Sequence, residues 1–258
     1  MIIGVPKEIM HGEKRVAVIP ETAAKLRAAD VEAVVKAHTD EHMVKPKLVY
    51  ISNSTESGAV YKKSELNELR DCCLKLGLYF YMDGARLGSA LSSQFNDVPP
   101  EELSGYFDAF YVGGTKNGFL CGEALVISND KLKEDFRFIL KQRGAMSAKG
   151  FVVGVQFDRS FEGGLYFETA KYANKQSARI AAALTKAGGA MLLPAESNQI
   201  FPIFTNEAIA ELHKDFGFYD WKSVSETESA IRIVCSWATT DCDADAFIEK
   251  AVSLLKKA

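Results

Sequence analysis

Two short loops carry the residue types that covalent amine chemistry requires. The first is Met82-Asp83-Gly84-Ala85-Arg86-Leu87-Gly88 and the second is Val112-Gly113-Gly114-Thr115-Lys116-Asn117-Gly118. Each follows at once on an apolar run, 78–82 and 109–112, of the length of a buried strand. The carboxyl ends of strands in an open α/β sheet are where ligands bind. An Asp there can hydrogen-bond to a protonated ring nitrogen, and a lysine on the neighbouring loop can form a Schiff base with an aldehyde, so both roles belong to one cofactor. Taken singly, Asp83 also suits a helix cap and Lys116 a solvated loop. The glycines beside Lys116 permit close backbone approach to a ligand. Arg232 lies within Ala230-Ile231-Arg232-Ile233-Val234, where an uncompensated charge is costly. It is expected to meet an anion, either a ligand or an acidic side chain. Arg86 has the same two readings and reaches solvent more easily. A guanidinium offers the planar bidentate grip on a carboxylate or phosphate that lysine lacks.

The elements that must position these residues follow from apolar runs and breakers. Leu48-Val49-Tyr50-Ile51 reads as a buried strand, followed by the polar loop 52–58. A helix over 64–76 stops at Gly77, and 78–82 is the next strand. Strand, helix, strand implies a parallel crossover. A helical segment over 100–106 leads to the strand 109–112, and 123–127 returns beside it antiparallel. Helices are expected over 130–141, 145–157 and 165–184, the last leading into a second domain. Gly150 and Gly154 mark a close approach on the middle one, by a helix of the same chain or by another subunit. The second domain takes strands near 190–192, 200–203 and 230–234, with helices over 206–215 and 243–255. At the amino end, 2–5 and 16–19 read as short strands and Pro20 opens a helical stretch. The run 31–36 is equally strand and helix.

Composition narrows the function classes. Among 258 residues, 31 Lys and Arg against 34 Asp and Glu leave a net charge of -3, without the basic surplus that nucleic-acid binding needs. No run has the length of a membrane helix, and the start has no signal-peptide pattern, so a cytoplasmic protein is expected. Cys72, Cys73, Cys121, Cys235 and Cys242 lack paired spacing. Reduced thiols fit them better than disulfides or zinc, with one of Cys72 and Cys73 in a core and the other at the surface. No metal is expected.

The two loops, together with Lys47-Leu48-Val49-Tyr50-Ile51-Ser52-Asn53-Ser54-Thr55-Glu56, Lys141-Gln142-Arg143-Gly144-Ala145-Met146, Asn198-Gln199-Ile200-Phe201-Pro202 and the run 231–240, resemble the low-specificity L-threonine aldolases. These belong to the beta-eliminating lyases of pyridoxal-phosphate fold type I. The resemblance runs from about residue 31 to the carboxyl terminus. It implies an α/β fold, with part of an aspartate-aminotransferase-like large domain over 30–160 and a smaller carboxy-terminal α+β domain over 161–258. It implies a lyase that cleaves L-threonine or L-allo-threonine to glycine and acetaldehyde with pyridoxal 5'-phosphate, as a homo-oligomer, dimer or tetramer. By the resemblance Lys116 holds the cofactor, Asp83 pairs with the pyridine nitrogen, and Arg86 and Arg232 bind around the phosphate or the substrate carboxylate. Arg143 is read as a surface residue at a helix end.

Residues 1–29 instead resemble the start of the alanine dehydrogenase and transhydrogenase amino-terminal domain, in Ile3-Gly4-Val5-Pro6-Lys7-Glu8-Ile9 and Gly12-Glu13-Lys14-Arg15-Val16-Ala17-Val18. No dinucleotide fingerprint follows, so Arg15 is read as a relic or a surface charge. The phosphate-seating loop and ring-stacking histidine of complete aldolases have no recognisable counterpart, and His38 and His42 are read as surface residues. An impaired lyase is therefore set against a catalytically inactive remnant that at most binds cofactor or serves as an assembly module.

Overall fold

In the computed structural model, which describes residues 25–256, the ambiguous run at Val31 is helical, forming α1 (Ala28–Ala37). Helix prevails because Leu26, Ala28, Val31 and Val35 all reach one apolar cluster, whereas a strand would have split them between two faces. The expected strands at 2–5 and 16–19, the helix from Pro20, and Arg15 lie outside the described residues.

Alternating burial decides which side of the first sheet is core. In β1 (Leu48–Ser52), Val49 and Ile51 are buried; α2 (Lys63–Leu76) then returns the chain to β2 (Tyr79–Asp83), where Phe80 and Met82 are buried. Gly77 closes α2 at a left-handed φ of 65°, the conformation glycine adopts at least cost. The strands β1 and β2 are parallel, with Ser52 opposite Asp83. After α3 (Leu87–Leu91) and α4 (Leu103–Tyr106), β3 (Ala109–Gly113) joins β2 in parallel. As expected, β4 (Glu123–Ile127) is antiparallel to β3. One face of this sheet packs with α1, α2 and α4 into a cluster that includes Ile51, Phe80, Met82, Leu66, Leu69 and Phe107. Both Cys72 and Cys73 are buried in it, not one of the two, because α1 covers Cys72 and its sulfur faces the Ala28 carbonyl at 3.7 Å. The opposite face carries Tyr50, Tyr81, Asp83 and Tyr111, and among the described residues it is open enough to leave Leu48, Tyr79 and Leu125 exposed.

The next segment departs from its sequence pattern. The helix expected over 130–141 is divided into a short turn, Asp130–Leu132, and α5 (Phe136–Gln142), because Asp135 holds a left-handed φ of 54°. The following helix, α6, spans Phe151–Phe161 rather than 145–157. The long α7 (Leu165–Lys186) then leads to a second sheet.

That second sheet is built on β8 (Glu228–Val234). One edge of β8 pairs in succession with β5 (Gln199–Ile200) and β6 (Ile203–Thr205), and the other pairs with β7 (Tyr219–Ser223), all antiparallel. The strand expected over 200–203 is split at Pro202, which lacks the amide a ladder needs. Residues 190–192 contribute only the isolated bridge between Met191 and Pro202. α8 (Asn206–Leu212) and α9 (Asp241–Leu255) join α7 over Ile200, Phe204, Ile231 and Phe247.

Candidate functional site

The two glycine loops pack directly on each other. The Gly113 N–H donates to the Gly84 carbonyl at 2.9 Å. A Cβ at Gly84 would lie 1.8 Å from the Tyr111 carbonyl oxygen, and one at Gly113 would lie 2.4 Å from that of Ala85. These glycines are therefore needed for loop to meet loop, a more local reason than approach to a ligand. Tyr166 of α7 pins the pair: its hydroxyl donates to the Gly113 carbonyl at 3.0 Å, and its own carbonyl accepts Asn117 Nδ2 at 2.7 Å.

Asp83 ends β2 with its carboxylate on the open face. Oδ1 accepts the Ala85 N–H at 2.9 Å and the Tyr111 hydroxyl at 2.5 Å, while Oδ2 accepts the Tyr50 hydroxyl. Three of about four acceptor positions are thus filled, leaving one on Oδ2 for a further donor. Burial, then the hydrogen bond to Asp83, pushes both tyrosines upward in pKa, so they stay protonated donors. Lys116 sits in the turn Thr115–Asn117. The residue is exposed as a whole, yet its ammonium is partly desolvated and lies near Arg86, and these two effects lower its pKa. Arg86 immediately precedes α3 and is partly buried; desolvation lowers its pKa, and Glu56 opposes that shift. Neither Lys116 nor Arg86 hydrogen-bonds or ion-pairs through its side chain to any described residue.

Arg232 reaches this region from β8. Its Nε donates to Gln199 Oε1 at 3.0 Å and its Nη2 to the same oxygen at 2.5 Å, and the guanidinium carbon lies 5.4 Å from the centre of the Trp221 ring. Nη2 also lies 3.6 Å from Glu56. Gln199 is fully buried and donates from Nε2 to the Thr55 carbonyl at 3.2 Å, which ties the second sheet to the loop after β1. The charges of Glu56, Asp83 and Arg232 all act on Arg86, and those of Glu56, Asp83 and Arg86 on Lys116. The four residues singled out by sequence thus meet at the carboxyl ends of β1, β2 and β3. Of the two readings of Arg232, the acidic side chain is present, since Glu56 stands beside it. Arg143 caps α5 at the surface.

Tyr50, Tyr111, Glu56, Gln199 and Trp221 had no assigned part in the site. Tyr111 was within reach of sequence reasoning, because residues that face the same way as Asp83 on adjacent strands recur with period two. Glu56 follows a strand at its carboxyl end, as Asp83 and Lys116 do. Gln199 and Trp221 required the second sheet. His38 Nδ1 donates to the Val34 carbonyl at 2.8 Å, and His38 and His42 both precede β1, at the end of that strand opposite the site. Among the described residues no cluster of His, Cys, Asp or Glu is arranged to hold a metal, and no helix is long and apolar enough to cross a membrane.

An open sheet with an acidic residue, a lysine and arginines gathered at its strand ends defines a mixed α/β protein whose charged side chains converge at one end of the sheet. The beta-eliminating lyase family model matches residues 4–207, and the chain belongs to that family. The match begins well before residue 31 and reaches into the amino-terminal segment. The low-specificity L-threonine aldolase of Pseudomonas sp. (strain NCIMB 10558) is 32% identical over 242 residues, 92% of this chain and 68% of that protein. Its namesake in Pseudomonas aeruginosa is 32% identical over 241 residues, covering 92% and 67%. The structure of Leishmania major threonine aldolase superposes with a TM-score of 0.88 at 43% identity, over 93% of this chain and 70% of that one.

Proposed function

We propose that the chain is a threonine aldolase-like lyase that uses pyridoxal 5'-phosphate to cleave L-threonine or L-allo-threonine into glycine and acetaldehyde. The observation that carries this reading is the Asp83 carboxylate, with one acceptor position left, beside an unpaired and partly desolvated Lys116. The donor set fits the cofactor: Lys116 Nζ would hold its aldehyde carbon, Asp83 Oδ2 its ring nitrogen, and Arg86 and Arg232 its phosphate or the substrate carboxylate. When bound, the cofactor supplies an electron sink for the carbon from which the side chain departs.

The chain's own residues do the rest. Asp83, which accepts from the hydroxyls of Tyr50 and Tyr111, would sit as counter-charge to the protonated ring nitrogen. Lys116, its pKa lowered by desolvation and by Arg86, presents more neutral amine near neutral pH than an ordinary lysine does, and can accept or return a proton at Nζ. Arg232, fixed at its Nε edge by buried Gln199, orients a carboxylate by its remaining N–H groups. No described histidine stands at the site to stack on the ring or take the hydroxyl proton, which favours slow turnover.

The reading includes a division into a cofactor-binding part over 30–160 and a smaller part over 161–258, a cytoplasmic location, and a homo-oligomer. Support for the oligomer comes from the large apolar side chains left in solvent, Leu120, Phe138 and Phe151, which are 89%, 70% and 66% exposed. The same exposed side chains favour the second reading, a non-catalytic assembly module.

The test is to incubate the purified chain with pyridoxal phosphate, reduce with borohydride, map the label by mass spectrometry, and assay glycine release from L-threonine. Label on Lys116 with glycine release supports the lyase. Label on another lysine sinks the site assignment, and label on Lys116 without release leaves the assembly reading.

A further inference from the structure

Glu56 stands where a ligand's carboxylate would stand on Arg232. Arg232 is the buried partner, with its side chain 15% exposed against 62% for Glu56. The 3.6 Å separation is longer than the roughly 2.7–2.9 Å of a charge-assisted hydrogen bond. Gln199 already engages Nε and Nη2. Glu56 can therefore leave for water at little cost, whereas a partly buried guanidinium loses far more without a nearby anion. Glu56 is also the first charge to offset the burial of Arg86, and it acts on Lys116 as well. One exposed carboxylate thus acts on three cations, Arg232, Arg86 and Lys116.

We propose that Glu56 competes with the α-carboxylate of an amino-acid substrate for Arg232, and so sets the affinity of the site for that carboxylate. The inference rests on the lyase reading, in which Arg232 meets the substrate. Binding exchanges one carboxylate for another, and Glu56 turns outward on the loop after β1. Anions able to grip the guanidinium bidentately gain most from the exchange, because Glu56 meets it through one nitrogen at a distance.

The experiment measures glycine affinity by absorbance on the cofactor-loaded chain for the parent, Glu56→Gln, Glu56→Asp and Arg232→Gln. Removing the competing charge of a partly exposed pair is expected to tighten glycine binding about two- to fivefold, with Glu56→Asp restoring parental affinity and with the gain shrinking as salt is added. Arg232→Gln is expected to weaken binding. If Glu56→Gln binds glycine no better while Arg232→Gln weakens it, the competition is overturned and the lyase reading stands. If Arg232→Gln changes nothing, the carboxylate role of Arg232 falls and the competition with it. A large loss of turnover in Glu56→Gln at unchanged glycine affinity also overturns the proposal, because Glu56 would then act on a proton. The same comparison without cofactor uses acetate as probe and Trp221 emission as readout in a Trp237→Phe background. Acetate is expected to act at lower concentration in Glu56→Gln, and equal concentrations would overturn the proposal whether or not cofactor loads.

Discussion

The Tyr111 hydroxyl donates to Asp83 Oδ1 across two adjacent parallel strands, at 2.5 Å. The contact is set by strand register: Met82 lies opposite Phe110, so Asp83 and Tyr111 follow as neighbours on the open face. With Tyr50 donating to the other oxygen from β1, the carboxylate is gripped from both sides. Tyr111→Phe removes one hydrogen bond to a charged group and is expected to cost about 1–2 kcal/mol of stability, read as a lower urea midpoint with unchanged slope. Asp83→Asn removes the charge that a protonated ring nitrogen needs and is expected to weaken cofactor binding by about 1.5–3 kcal/mol. An unchanged cofactor spectrum and affinity in that variant would refute the pairing.

The pH dependence of cofactor attachment tests Lys116. Its pKa is lowered from the ordinary 10.5, first by desolvation and then by Arg86. Only the neutral amine attacks an aldehyde, so a lowered pKa moves the rise of the attachment rate to lower pH. Arg86→Gln removes a repelling charge and should move that rise back upward. Stopped-flow absorbance across pH gives the midpoint, which is independent of any loss of cofactor affinity through Arg86. A midpoint unmoved by Arg86→Gln would show that the two cations are not coupled.

Gly84 offers a steric test of loop-on-loop packing. A Cβ there would lie 1.8 Å from a backbone oxygen, and backbone cannot step aside as a side-chain end can. Gly84→Ala is expected to cost on the order of 3 kcal/mol or more, with a fall in melting temperature and loss of cofactor attachment. Gly105→Ala, where a Cβ meets nothing within 4 Å, should be close to neutral. Equal melting temperatures for the two variants would contradict the packing.

What could be read in the sequence was what local pattern determines. Apolar runs marked β1, β2 and β3, and the glycine loops after β2 and β3 held Asp83, Arg86 and Lys116. What escaped was determined by distant partners. β7 contains Tyr219, Asp220 and Lys222, and Tyr219 is 71% exposed; its strand form depends on the ladder with β8 rather than on any apolar side of its own. The left-handed turn at Asp135 divides a run whose composition suits one helix. Arg232 was legible as a cation in need of an anion, but which anion depended on Gln199 and Glu56, which stand 33 and 176 positions earlier in the chain.

Asp108 shows how the base of the sheet is tied together, and it supplies a test of stability. Its carboxylate accepts the Phe80 N–H at 2.7 Å, Asn129 Nδ2 at 2.8 Å and Arg70 Nη1 at 3.0 Å, joining β2, α2 and the end of β4. Burial opposes ionisation, but the three donors outweigh it and its pKa is lowered. A carboxylate depressed on folding contributes stability that is fully present above its unfolded pKa of about 3.9 and is lost as pH falls through the lower folded value. Asp108→Asn should therefore lower stability at pH 7 by about 2–4 kcal/mol, since Arg70 loses its counter-charge and one donor is left facing an amide. The variant should also lose Asp108's share of the acid destabilisation, so the gap between parent and variant narrows below about pH 4. Urea midpoints at neutral pH and at successively lower pH decide the matter. A constant gap throughout that range would mean that Asp108 acts by shape and not by charge.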